Sequence, residues 1–209
     1  MLRKELVLLA LISGPVAYAQ QSSPRVPNYV TGNTDIPSYS VSTSFSNSAA
    51  SAGDLFCLYG SATNVIRIKG VRVTGVASAA ATVSAALIRR TTLYTVGSST
   101  ANVITPVASD SANPASTVTA VSFSGTALPT PGATTAQGGS QPGGNVRNRY
   151  ISLPVAAGSA TGPSEGLFQF SVYWDQPQVL RKPTEGLCWN ASANGNSWAI
   201  DYEYTETPQ

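Results

Sequence analysis

The sequence predicts an all-β fold, an antiparallel β-sandwich of jelly-roll type preceded by an extended N-terminal arm, and three observations carry that prediction. First, Phe168, Phe170, Val172 and Trp174 alternate with Gln169, Ser171 and Tyr173, and Trp198, Ile200, Tyr202 and Tyr204 alternate with Ala199, Asp201 and Glu203. Period-two alternation sorts side chains onto opposite faces of a strand. Second, Ser, Thr, Ala, Val and Gly dominate, only 11% of residues are charged, and no segment after residue 20 keeps a helical period for several turns. Third, turn signals divide the chain into roughly eight to nine short apolar runs, the spacing of a sandwich. A chain of 209 residues is long enough to bury one such core.

The first nineteen residues combine Arg3 and Lys4, an apolar run from Leu6 to Ile12, and Ala17-Tyr18-Ala19 before Gln20. This is the layout of an export signal cleaved after Ala19. The run is too short for a membrane anchor, and its other reading is an apolar arm that packs on a neighbouring subunit or membrane. Residues 20–53 are rich in Ser, Pro and Asn, with Pro24, Pro27 and Pro37, and read as an extended arm.

The domain is expected to span 54–206. Leu55-Phe56-Cys57-Leu58-Tyr59 reads as a short buried strand ending at Gly60. In the next strand Ile66 and Ile68 hold even positions but Val71 and Val73 hold odd ones. One extra residue at Lys69-Gly70 restores a common apolar face, so a β-bulge is predicted there. The bulge gathers Arg67, Lys69 and Arg72 on the outer face, as a site for an anionic partner or simply as the solvated side of the sheet. Val83, Ala85 and Leu87 alternate inward on a strand closed by Arg89-Arg90, and Val103–Val107 and Thr117–Phe123 are weaker strands. Residues 124–148 are almost wholly Gly, Pro, Thr, Ser, Ala and Gln and predict a long exposed loop available to a subunit or receptor. A strand resumes at Tyr150-Ile151-Ser152-Leu153. Leu187-Cys188-Trp189, the turn pair Asn194-Gly195 and the Trp198 run then predict a closing β-hairpin.

Chemistry is constrained by what is missing. The chain has no histidine, which removes His-activated nucleophiles and the usual zinc or copper ligand sets. It has no phosphate-binding glycine motif, and its net charge of +2 is too balanced for charge-driven nucleic-acid binding. No cofactor and no metal is expected. Glu165-Gly166-Leu167 and Glu185-Gly186-Leu187 could oppose two carboxylates as a glycosidase does, but polar caps entering paired strands explain the repeat more simply. Tyr173, Trp189, Trp198, Tyr202 and Tyr204 could stack on sugar rings, against the alternative that they are core. Cys57 and Cys188 would join across the domain in an oxidising compartment and stay buried thiols in a reducing one.

The blocks Ser61–Gly75 and Gln178–Leu187, with the closing Asp201-Tyr202-Glu203-Tyr204-Thr205-Glu206, resemble a group of β-sandwich proteins encoded by tailed bacteriophages and related environmental viral sequences. The resemblance covers about residues 54–206 and implies a virion component of head-decoration or tail-accessory type, with no functional residue to carry over. The leading expectation is therefore a non-enzymatic structural protein, a homo-oligomer on a virion surface contacting other virion proteins. The alternative is a secreted, periplasmic or cell-surface binding module, with carbohydrate as its possible ligand.

Overall fold

The computed structural model describes residues 36–47, 52–77, 79, 81–96, 100–124, 128–132, 134, 145–153, 164–169, 177–191 and 196–209. They form twelve strands: β1 (Ser38–Asn47), β2 (Gly53–Tyr59), β3 (Asn64–Val76), β4 (Ala81–Arg90), β5 (Thr100–Ile104), β6 (Val107–Ala108), β7 (Thr119–Ser124), β8 (Asn145–Leu153), β9 (Ser164–Gln169), β10 (Gln178–Leu180), β11 (Gly186–Ala191) and β12 (Asn196–Pro208). Two six-stranded sheets result, and every pairing in them is antiparallel. Sheet A runs β10-β3-β12-β1-β6, with β9 also on β3, and sheet B runs β5-β7-β2-β11-β4-β8. The all-β sandwich is as the composition and alternation predict.

The bulge in β3 falls where the parity of its valines and isoleucines requires it. Glu203 pairs with Gly70 and Tyr204 with Ile68, so Lys69 has no counterpart on β12. The other neighbour of β3 changes at the same place, from β10 opposite residues 66–68 to β9 opposite residues 70–75. Ile66, Ile68, Val71 and Val73 are consequently all buried on one face, while Lys69 and Arg72 are exposed on the other.

The arm assigned to residues 20–53 needs correction, because Ser38–Asn47 is a full strand of sheet A paired residue for residue with β12. Its alternation is carried by serine: Ser38, Ser40, Ser42, Ser44 and Ser46 line one face, and Tyr39, Val41, Thr43 and Phe45 the other. Pro37 precedes the first strand residue, a position that needs no N–H in the ladder. The exposed loop predicted over 124–148 needs correction at some of its described positions. Pro129 and Gly132 are buried, and Leu128 packs on the outer face of sheet B.

The closing hairpin does not form. β11 pairs with β2 and β4 in sheet B, whereas β12 pairs with β1 and β3 in sheet A. Asn194-Gly195 lies outside the described residues. The Trp189 and Trp198 rings meet edge-on across the sandwich, centroids 5.9 Å apart. Both indoles are buried in this arrangement, and each buried aromatic is worth about 1.5–3 kcal/mol.

The main core lies between the sheets. From β12 it receives Trp198, Ile200, Tyr202 and Tyr204, and from sheet B it receives Phe56, Leu58, Leu87, Leu187 and Trp189. The Phe56 and Tyr202 rings meet at a tilt, centroids 5.0 Å apart, and the Tyr202 hydroxyl donates across the sandwich to the Leu187 carbonyl at 3.4 Å. A second cluster occupies the outer face of sheet B: Cys57, Tyr59, Val121, Phe123 and Cys188, covered by Tyr94 and Leu128. The cover is fastened by reciprocal Thr95–Thr130 backbone bonds of 3.0 Å. Gly132 is required in it, since a Cβ there would lie 1.9 Å from the Thr92 carbonyl oxygen.

Burial pushes the phenols of Tyr59, Tyr202 and Tyr204 above their ordinary value, with Asp54 adding to it for Tyr59 and Tyr202. At Tyr204 the Ser116 bond opposes burial and Glu206 reinforces it. Unfolded tyrosine ionises near pH 10. Because the folded values lie higher, stability is fully present below about pH 10 and falls as pH rises further, the unfolded chain alone losing protons. Phenolate absorbance should therefore lag behind that of free tyrosine and then rise together with loss of near-ultraviolet circular dichroism. Ionisation of Tyr59, Tyr202 and Tyr204 near pH 10 with near-ultraviolet circular dichroism intact would contradict this.

Candidate functional site

Each sequence candidate now has a place. Trp189, Trp198, Tyr202 and Tyr204 are 0–1% exposed, so the proposed ring-stacking platform is corrected to core. Their alternation is the alternation of the buried face, which a sequence pattern cannot distinguish from a sugar platform. Tyr173 lies outside the described residues. Cys57 and Cys188 form a disulfide. The bond does not span the domain, because the two cysteines are directly opposed on the neighbouring strands β2 and β11. Glu165 is in register with Thr74 on β9 of sheet A, whereas Glu185 leads into β11 of sheet B. Glu185 accepts from Arg89 at 3.1 Å and from the Arg181 amide at 2.8 Å. Both acceptor bonds hold chain segments together, the capping role that competes with catalysis in the sequence.

Two buried carboxylates escaped the sequence reading. Asp54 is fully buried and takes a two-pronged bond from Arg90, Nε to Oδ2 at 2.9 Å and Nη2 to Oδ1 at 2.6 Å, plus the Asn190 amide at 2.9 Å. Arg90 also donates to the Gly132 carbonyl at 3.2 Å, tying the pair to the cover of sheet B. Asp54, Cys57 and Cys188 bring three ligand-type atoms together. The sulfurs are bonded to each other and the carboxylate is committed to Arg90 and Asn190, so this donor set does not fit a metal ion.

Glu206 continues the inward row of β12 beyond Tyr204 and closes the end of the core. Its carboxylate accepts from Ser116 Oγ, the Thr117 amide at 3.1 Å, Thr117 Oγ1 at 2.6 Å and Asn64 Nδ2 at 2.8 Å. These donors stand in for a counter-ion and anchor the chain entering β7. Only a position in the fold reveals this role, because 116–117 and 206 are far apart in sequence.

What remains accessible and organised is the outer face of sheet A. The register lays it out as columns: Arg67, Lys69, Arg72 and Thr74 on β3, then the buried Thr205 followed by Glu203, Asp201 and Ala199 on β12, then Ser38, Ser40, Ser42 and Ser44 on β1. Arg72, Asp201 and Ser42 form one row across three strands, and Thr74, Ala199 and Ser44 the next. A shallow cleft of about 220 Å³ opens over Ser42, Arg72, Thr74, Ala199, Ile200 and Asp201. Partial burial raises the Asp201 carboxyl above its ordinary value, Glu203 adds to the rise and Arg72 opposes it. Of the three bases singled out in the sequence, Arg72 and Lys69 thus stand beside Asp201 and Glu203, whereas Arg67 lies opposite Thr205 and donates to Thr207 Oγ1. Sequence reasoning missed Asp201 and Glu203 as their neighbours because strand pairing alone joins them.

Among the described residues no helix is long and apolar enough to cross a membrane. No family model, curated protein or solved structure matches the chain.

Proposed function

We propose that the protein is a non-enzymatic structural protein that assembles as a symmetric oligomer on a virion surface, as a capsid-decoration or tail-accessory component. The supporting observation is the outer face of sheet A, a broad surface in which opposite charges alternate between adjacent strands and small hydroxyl residues fill the flank. Rows of short side chains suit contact between rigid bodies, and interspersed charge sets register while suppressing wrong pairings. The carboxylates Asp54, Glu185 and Glu206 have structural donors, consistent with a scaffold role. Mass spectrometry of purified virus particles should find the chain in them in fixed stoichiometry to the major capsid protein. Recovery solely in particle-free medium would overturn the proposal.

The Cys57–Cys188 bond favours a second reading, a secreted or periplasmic binding module, because such bonds persist in oxidising compartments. Its ligand would lie in the Arg72–Asp201 cleft rather than on aromatic rings. A mature N-terminus at Gln20 in particle-free protein would support it, and Met1 retained in particles would overturn it.

A further inference from the structure

The two central strands of the exposed face carry opposite charge, and their rows are aligned. On β3 Lys69 and Arg72 are exposed, and on β12 Glu203 is exposed and Asp201 half-buried. Asp201 is level with Arg72, and Glu203 is level with Gly70, where Lys69 is the bulged residue. We propose that this face packs against the same face of a second copy of the chain, back to back about a two-fold axis that runs parallel to the strands between β3 and β12.

Symmetry selects that axis. An in-plane two-fold axis parallel to the strands keeps the height of every row and exchanges the two columns, laying Arg72 over Asp201 of the second copy and Lys69 over its Glu203. An in-plane axis perpendicular to the strands would keep the columns and lay bases over bases. Only the first converts the column order into attraction, and an interface built on a two-fold must be self-complementary in this way. Shape agrees with charge. Ala199 leaves a hollow in the cleft, and the axis brings Thr74 of the second copy, from the same row, over it.

Size is also sufficient. The strands β3 and β12 are each 13 residues long. With a rise of about 3.3 Å per residue and strands about 4.8 Å apart, β1, β3, β12 and the β9 and β10 flank cover on the order of 700 Å², close to a standard interface per partner. Twisted sheets stacked in this manner cross at about 30°, which concentrates contact on the Arg72–Asp201 and Lys69–Glu203 rows. The inference specifies the first contact of the assembly proposed above and rests on that reading.

The test uses the full chain in sedimentation velocity, with two charge-uniform variants. Lys69→Glu with Arg72→Glu makes the face acidic, and Asp201→Lys with Glu203→Lys makes it basic. The native chain should dimerise, more weakly as salt rises. Each variant alone should lose at least tenfold in dimer affinity while its circular dichroism stays native. An equimolar mixture should recover the dimer, which also shows that both variants are folded. Folded variants that still dimerise as the native chain does, or a mixture that stays monomeric, would overturn this interface and leave assembly through another surface standing. A native chain that is monomeric at every concentration would overturn both.

Discussion

Replacing Cys57 and Cys188 together with alanine is expected to lower the free energy of unfolding by about 3–5 kcal/mol. The bond closes a loop with a sequence separation of 131. In the chain-entropy description a loop of that length restrains the unfolded ensemble by about 5 kcal/mol. Structure retained in the unfolded chain reduces that entropic gain, whereas in the native state the ladder of β2 and β11 already holds the two positions opposite each other. Both sulfurs are also fully buried in the cluster beneath Tyr94 and Leu128, so their removal leaves unfilled space. Urea unfolding followed by fluorescence measures the change. The uncrosslinked variant should show a steeper transition as well as an earlier midpoint, since its unfolded state exposes more surface. A loss below about 1 kcal/mol at unchanged slope would show that the bond does not restrain the unfolded chain.

The second large effect is expected at Arg90. Arg90→Met leaves the Asp54 carboxylate, 0% exposed, with the Asn190 amide as its described side-chain partner and should cost about 3–5 kcal/mol. Removing one end of a buried pair strands a charge in a low dielectric, whereas removing both ends does not. The double variant Asp54→Leu with Arg90→Met should therefore recover at least half of the loss. The single variant also loses the bond to the Gly132 carbonyl, so the cover over Cys57 and Phe123 should open to protease more readily than in the native chain. Equal destabilisation by the single and double variants would show that packing rather than the stranded charge sets the cost.

Individual elements were legible in the sequence to the degree that their signals were local. The parity switch between Ile68 and Val71 located the bulge at Lys69, because a strand with one wet face tolerates no misplaced valine. The inward rows Val83, Ala85, Leu87 and Trp198, Ile200, Tyr202, Tyr204 followed from alternation in the same way. β1 was hidden by composition. Its outward residues are serines, which read as linker, and its inward row of Tyr39, Val41, Thr43 and Phe45 includes a threonine. Within 124–148, Leu128 packs on sheet B and Pro129 and Gly132 are buried, which the Gly- and Pro-rich composition hides.

The closing aromatic segment shows where local reading stops. Its alternation correctly identified a buried face, but whether that face met another sheet or a ligand depended on which strands stood opposite. Asn194-Gly195 is compatible with a hairpin, yet β11 and β12 occupy different sheets and place Trp189 against Trp198 across the core. The candidate interaction face was half legible for a similar reason. Arg67, Lys69 and Arg72 are close in sequence, whereas Asp201, Glu203 and the serine column join them through the register of β12 and β1.

By itself, then, the sequence determined an all-β chain, the wet and dry faces of β3, β4 and β12, and the position of the bulge. Each of these follows from a period of two along the backbone, which nearest neighbours set. Tertiary structure alone decided the sheet to which each strand belongs, the Asp54–Arg90 and Glu206 anchors, and the columns of opposite charge on the outer face. Those depend on pairings between residues distant in the chain, where burial and hydrogen bonding, rather than local propensity, select the partner.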